Sequence, residues 1–393
     1  MLIHDDCLNA LEYLETQSVD LVYLDPPFFT QKKHRQRTRD NTKEYVFEDC
    51  WDSIDNYRQY IEDRLDVCHK ILKDTGSIFL HCDKTASHHL RLALDKVFGS
   101  DNFQSEIIWT FRRWSNAKKG LLNGHQVILF YSKSASFKFY QIYQAYSPAT
   151  NIDQIFQERV RDAHGKSVYK KNGFKPILRE DKKGVPLSDV WDMPYLNPKA
   201  KERVGYPTQK PIELLERVIS LVTKEGDLVF DPFCGSGTSL VAARLMNRRY
   251  SGIDLSLEAI KLAQHRIKHP IKSSSTLLRN GRASFNNQCS EIVDFLERIN
   301  VYPVQRNKGI DGFLKQGNSI KPIPVKVQRM EESFASAKDK LLKACKSSDF
   351  EVKILISQET PTRKYFHKEK LYIIPSALAS HEHIRSTVLK DSC

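Results

Sequence analysis

Asp25-Pro26-Pro27-Phe28 sets a carboxylate, two residues without an N–H and an aromatic ring side by side. Proline locks φ, and Pro27 pushes Pro26 into an extended conformation, so the turn is stiff. The carboxylate and the carbonyls of Pro26 and Pro27 can accept the two hydrogens of an amine, while Phe28 stacks on the plane that carries it. The chemistry that fits is the handling of a flat group bearing N–H₂. A strand followed by a proline-stiffened turn, with the Asp merely capping a loop, fits the same four residues.

Several elements must position this carboxylate. Val19 to Leu24 is an apolar, β-rich run that suits a buried strand, with Asp25 at the carboxyl end where open α/β sheets hold their ligands. A second stretch, Leu228-Val229-Phe230-Asp231-Pro232-Phe233-Cys234-Gly235-Ser236-Gly237-Thr238, reads as strand, glycine turn and helix. Another strand follows from Tyr250 and ends in Asp254, 23 residues after Asp231, a common offset for an acid on a ribose hydroxyl. The combination suits an adenosine-containing ligand. No G-K-[ST] is present, which argues against a triphosphate.

Leu8, Leu11 and Leu14 predict a helix over Cys7 to Glu15; further helices are expected at 54–72, 85–98, 212–222 and 238–246, with Pro211 opening the one at 212–222. Strands are expected at 77–81, 107–109, 127–131 and 137–140. Thr30 to Asn41 is polar and basic, and suits either a solvated loop or a cover that grips phosphate. From about Ser147 to Arg203 the periodicity fades and cations alternate with aromatic residues, as contact with a nucleic acid requires. Lys32, Lys33, Arg35, Arg112, Arg113, Lys170 and Lys171 are the cations expected to meet it.

The 393 residues carry a net charge of +13, which favours a polyanionic partner. No apolar run spans a membrane and no leader is evident, so no membrane partner is expected. The eight cysteines contain no C-x-x-C pair, and a reducing cytoplasm is the simplest home. His81, Asp83, His88 and His89 follow no ligand spacing and read as solvated surface; no metal is expected.

Taken together, Asp25-Pro26-Pro27-Phe28 and Asp231-Pro232-Phe233-Cys234-Gly235-Ser236-Gly237-Thr238 resemble the exocyclic-amino DNA methyltransferases. The catalytic motif precedes the cofactor motif, and Pro207-Thr208-Gln209-Lys210-Pro211 leads into the latter, an order similar to the permuted β group of that family. The resemblance covers roughly residues 1–268. It implies an α/β, Rossmann-like, doubly wound and mostly parallel sheet, S-adenosylmethionine as cofactor, and duplex DNA as substrate. It also implies that Asp25, Pro26, Pro27 and Phe28 are catalytic. Asp231, Phe233, Gly235, Gly237 and Thr238 would line the cofactor, Asp254 its ribose, Thr208 and Lys210 its methionine end, and Asp6 its adenine amine. In this family an Asp at the head of the motif leans towards adenine N6, with cytosine N4 as the alternative. Methylation of RNA or a protein amide, and a non-catalytic DNA-binding subunit, are the rival readings. A homodimer and a cognate restriction endonuclease are compatible partners.

Residues 1–268 are thus expected to form the methyltransferase domain, with 147–203 as an inserted target-recognition region, 269–290 as a linker and 291–393 as a small α/β accessory domain. In that tail Gly309-Ile310-Asp311-Gly312 and Val325-Lys326-Val327-Gln328 weakly resemble restriction-endonuclease-like domains. The lysine stands where a metal ligand is needed, so the module is expected to be nuclease-inactive.

Overall fold

The structure, a computed structural model, describes residues 1–37, 44–111, 120–144, 158–172, 175–176, 184–275, 278, 281, 289–304, 307, 309–314, 322–346, 350, 352–359, 365–380, 382–384 and 386. The chain divides into two compact units, Met1–Gly281 and Arg282–Cys393.

The strands of the first unit are β1 (Leu2–His4), β2 (Val19–Leu24), β3 (Lys32–Arg37), β4 (Glu44–Asp49), β5 (Leu72–Cys82), β6 (Phe103–Thr110), β7 (His125–Ser132), β8 (Tyr143–Gln144), β9 (Arg159–Arg161), β10 (Ser167–Tyr169), β11 (Lys171–Asn172), β12 (Lys175–Pro176), β13 (Val185–Pro186), β14 (Val190–Asp192), β15 (Leu228–Asp231) and β16 (Arg249–Asp254). Its helices are α1 (Ile54–Ile71), α2 (Ser87–Phe98), α3 (Ile212–Val222), α4 (Thr238–Leu245) and α5 (Leu257–Lys268). Among the described residues, eight strands form one sheet in the order β1-β16-β15-β2-β5-β7-β6-β14. Every neighbouring pair is parallel except the two that involve β7.

Side chains alternate across a strand, so β2 feeds two cores. Leu21 and Tyr23 pack with Leu215 and Val218 of α3 and with Leu240 of α4. Val22 and Leu24 pack with Tyr57, Ile61 and Leu65 of α1 and with Leu90 of α2. Helices on both faces explain why β2 is buried along its whole length. Ser53 starts α1 by accepting the Asn56 amide at 3.1 Å.

Several expectations need correction. The helix over Cys7 to Glu15 is a short 3₁₀ turn, Cys7–Glu12, because the Tyr13 hydroxyl folds back onto Asp5 at 2.7 Å. Residues 137–140 are not a strand: Lys138 is drawn instead to Asp20 and Asp227, at 2.8 and 3.0 Å. In the basic stretch after Thr30, residues 32–37 are not a loop but the strand β3, paired antiparallel with β4, while 38–41 lie outside the described residues. In the expected insertion, β9 pairs with β10, β11 with β12 and β13 with β8, whereas β14 joins the main sheet beside β6. The linker expected over 269–290 starts on the first unit: Lys272 reaches Glu213 at 3.0 Å and also pairs with Glu216, the Ser273 amide donates to Glu202 at 2.7 Å, and Leu278 is buried.

In the second unit, α6 (Ser290–Arg298) and α7 (Phe334–Cys345) accompany a sheet of β17 (Val301–Pro303), β18 (Gly312–Leu314), β19 (Ile323–Val327), β20 (Lys353–Ser357), β21 (Tyr365–Phe366) and β22 (Leu371–Pro375). The order is β17-β18-β19-β20-β22-β21, with β19, β20 and β22 parallel. No helix among the described residues is long and apolar enough to cross a membrane.

Candidate active site

Strand register brings the two motifs to one edge. Val22 of β2 lies opposite Phe230 of β15, and Asp231 lies opposite Gly252 of β16. Asp25, Asp231 and Asp254 therefore leave three adjoining strands at the same carboxyl end, although Asp25 lies about two hundred residues before the other two in the chain. That edge is where doubly wound sheets place ligands.

Asp25 is partly buried and holds an ion pair with Lys210 through Oδ2. Lys210 is almost fully buried; its Nζ also donates to the Thr208 carbonyl at 3.1 Å and lies 5.2 Å from the centre of the Phe28 ring. Asp25 Oδ1 has no hydrogen-bond partner among the described residues, although it is shielded from solvent. His81 Nδ1 lies 3.6 Å from it. Burial pushes the Asp25 carboxyl above the ordinary aspartate range, and the Lys210 charge pulls it back.

His81 overturns the expectation of solvated surface. Leu24 pairs with Leu80, so the next residue of β5 comes to lie beside Asp25 with no solvent exposure. The Tyr23 hydroxyl lies 2.9 Å from Nδ1, and Gln126 Oε1 lies 3.1 Å from Nε2. Burial, followed by the Lys210 charge, holds the ring well below its ordinary pKa, so it is neutral. The amide oxygen of Gln126 requires the proton on Nε2, and Nδ1 then accepts from Tyr23.

The turn itself is pinned. The Tyr57 hydroxyl donates to the Pro27 carbonyl at 2.7 Å, so that carbonyl, expected as an acceptor for ligand, already anchors α1. Asp49, at the end of β4, receives the amides of Phe28, Phe29 and Thr30 at 3.1, 2.9 and 2.8 Å. Phe28 packs on the His81 ring at 5.4 Å.

The neighbouring tip is built from backbone. Gly235 and Gly237 have φ of +47° and +74°, a region that favours glycine. A Cβ on Gly237 would lie 2.7 Å from that of Ala263, so the residue also lets α4 and α5 close together. The Gly235 and Ser256 amides both donate to the Asp254 carboxylate at 2.8 Å. Asp231 accepts from the Phe233 amide at 3.0 Å and from the Ser239 hydroxyl; burial pushes its carboxyl up to about 7. A cavity of about 250 Å³ opens beside Asp254, walled by Tyr45, Val46 and Phe47 of β4 and by Tyr206 and Pro207.

The family model for N6/N4 DNA methylases matches residues 19–265. The chain belongs to that family. The methylase is similar to the type II methyltransferase M.HpaI of Haemophilus parainfluenzae, with 30% identity over 267 residues, 68% of this chain and 73% of that protein. It is equally similar to the DNA adenine methyltransferase YhdJ of Escherichia coli K12, 30% over 268 residues, 68% of this chain and 82% of that one. Among solved structures, the cytosine-N4-specific PvuII DNA methyltransferase covers 76% of this chain and 91% of its own, at 17% identity and a TM-score of 0.45. The methylase works on duplex DNA and takes S-adenosylmethionine as methyl donor.

The residues present fit that cofactor: Gly235 and Gly237 take left-handed backbone at the turn between β15 and α4, and Asp254, at the end of the next strand, borders a cavity. Some expected contacts are nevertheless taken. Asp6 accepts two bonds from Arg64, at 3.0 and 2.8 Å, and one from the Leu8 amide at 2.9 Å, which fills three of about four acceptor positions. Arg64 lies 3.4 Å above the Tyr60 ring, and Tyr60 lies 6.4 Å from Phe233, so Asp6 enters the site as part of a wall. Thr238 is turned inward, with its hydroxyl 3.0 Å from Arg266. Thr208 contributes its carbonyl to Lys210, which points at Asp25.

Of the expected DNA contacts, Lys32, Lys33 and Arg35 are exposed on β3, and Lys33 is paired across the hairpin with Glu48. Lys170 pairs with Glu158 at 3.2 Å and Lys171 is exposed. Arg112 and Arg113 lie outside the described residues. Sequence reasoning missed His81, Asp49, Tyr57 and Arg64. Only His81 left a signal: a polar residue directly after the apolar run Ile78–Leu80 of β5.

Proposed function

We propose that the methylase modifies the exocyclic N6 amine of an adenine flipped out of duplex DNA, with Asp25 as the group that receives the amine. The observation that carries this is Asp25 Oδ1, a shielded acceptor without a hydrogen-bond partner among the described residues, beside an Oδ2 already held by Lys210. A buried acceptor left open is costly unless a ligand fills it. Asp25 Oδ1 and the Pro26 carbonyl accept the two amine hydrogens and hold the nitrogen towards tetrahedral geometry, which localises its lone pair. The bound S-adenosylmethionine supplies an electrophilic methyl on a sulfonium. The negative carboxylate stabilises positive charge as it grows on the nitrogen, so the site acts by positioning and electrostatics. Flipping costs a few kcal/mol; stacking on Phe28 offsets roughly 1–3 kcal/mol of it.

Asp231, Phe233, Gly235 and Gly237 line the cofactor in this reading, with Asp254 on the ribose and Asp6 towards the adenine. Lys32, Lys33, Arg35, Lys170 and Lys171 meet DNA phosphates, and the setting is the cytoplasm. The named adenine specificity of YhdJ and the Asp at the head of the motif both favour adenine over cytosine N4. Digesting methylated plasmid to nucleosides separates the two: N6-methyldeoxyadenosine is expected, and N4-methyldeoxycytidine would reverse the choice. The type II relatives support a cognate restriction endonuclease in the same cell.

The second unit is an accessory module without nuclease activity in this reading. Lys326 Nζ sits 3.4 Å from both Asp311 and Glu332, filling with its own charge the place a divalent cation would need. Magnesium-dependent nicking of supercoiled plasmid by the purified protein would overturn this.

A further inference from the structure

Asp49 lies 21 residues beyond Phe28 and carries none of the motif chemistry, yet it is almost fully buried against the catalytic turn. Its Oδ2 takes the amides of Phe28 and Thr30 and the Thr30 hydroxyl, the last at 2.6 Å; its Oδ1 takes the Phe29 amide and, at 2.9 Å, the Trp51 indole N–H. Three successive backbone N–H groups converging on one anion form a nest, and nests impose a backbone shape. That shape is unfavourable on its own: Phe29 and Gln31 have φ of +62° and +54°, left-handed values for residues with a Cβ. Gln31 is held in turn by two bonds of 2.8 Å to the Trp51 backbone.

We infer that Asp49 is a positioning residue for methyl transfer, its carboxylate holding residues 28–31 in the strained shape that presents Phe28 and aims Asp25. The inference rests on the proposed role of Asp25. Nothing in the hairpin's fold alone demands this carboxylate, because β3 and β4 pair through their own backbone. The same strand carries Tyr45 and Phe47 to the cavity wall, so one short element borders both halves of the reaction.

The isosteric Asp49→Asn keeps the volume but removes the charge and turns one acceptor into a donor facing amides. In the full-length protein, methyl transfer from tritiated S-adenosylmethionine to unmethylated plasmid should lose about 100-fold in kcat, the scale of an ångström of misplacement. KM for the cofactor and the affinity for sinefungin should stay within about threefold. Amide hydrogen exchange in the peptide covering residues 26–31 should accelerate at least about tenfold, while α1 and β5 exchange as in the unmodified protein. Thr30→Val removes one donor to Asp49 without touching the carboxylate; it should lower kcat by about 3- to 10-fold and decides the matter if Asp49→Asn does not fold. Unchanged kcat in the variant that folds, or unchanged exchange over 26–31, overturns the inference. Asp25→Ala assayed alongside separates the two levels: activity there defeats the proposed function, whereas an inactive Asp25→Ala beside a fully active Asp49→Asn defeats only the role of Asp49.

Discussion

Each unit of the methylase buries an aspartate against a lysine, and the two pairs are finished differently. In the first unit Lys210 holds Asp25 through Oδ2, while Oδ1 has no hydrogen-bond partner among the described residues. In the second, Asp311 is fully engaged: the Val327 amide donates at 2.7 Å, Arg329 through two nitrogens at 3.2 and 2.8 Å, and Lys326 stands at 3.4 Å. A saturated buried carboxylate is a fastening, and its loss leaves several donors stranded. A carboxylate with one open lobe has been left for something that comes from outside.

The sharpest way to break this comparison is to make the same substitution twice. Asp25→Asn should cut methyl transfer about 1,000-fold, at the upper end for losing one charge-stabilising group, with the protein still folded and cofactor still bound. Asp311→Asn should leave transfer at its normal rate and destabilise the second unit by about 2–3 kcal/mol, read as an earlier transition in urea. The reverse assignment of effects would abolish the distinction.

Removing Lys210 sharpens the first half. Burial raises the Asp25 carboxyl and Lys210 opposes it, so in Lys210→Met the acid takes up its proton at higher pH than in the unmodified enzyme. Transfer needs the ionised form. The acid limb of kcat should therefore move to higher pH, with about 10- to 100-fold less activity near neutrality and recovery as pH rises; one pH unit of limb displacement is worth about tenfold there. Lys210→Arg should leave the limb where it is. A limb that does not move in Lys210→Met contradicts the coupling.

How much of this was legible beforehand depended on distance along the chain. Asp231, the glycine turn and Asp254 lie within one strand–turn–helix–strand unit, and local pattern sufficed. β2 was readable because its apolar run ends at two prolines. The partners of Asp25 were not. Lys210, expected at the methionine end of the cofactor, arrives from 185 residues away to pair with Asp25, and Asp49, 21 residues beyond Phe28, grips the turn that follows it. A histidine after the three apolar positions Ile78–Leu80 carries no sign of which strand it will face; only the β2–β5 register puts His81 beside Asp25. In the second unit Asp311 and Lys326 were noticed, but whether they form a working site or a fastening is a matter of counting bonds, which no motif contains.

The smallest expected effect lies at the DNA face. Lys32→Ala and Arg35→Ala should each weaken DNA binding a few-fold and make the slope of log affinity against log salt shallower by about 0.9 for each phosphate left without its cation. Neither should change the rate of transfer from the bound complex, since both side chains are exposed on β3. An unchanged salt slope in the double variant would remove the hairpin from the DNA-binding surface.

The direct measurement is a crystal structure of the methylase with sinefungin and a duplex containing its mapped target base. The exocyclic nitrogen should stand about 3 Å from Asp25 Oδ1, with Lys210 still on Oδ2 and Phe28 against the base. An amine bonded elsewhere, with that oxygen turned to Lys210 or to solvent, would contradict the account.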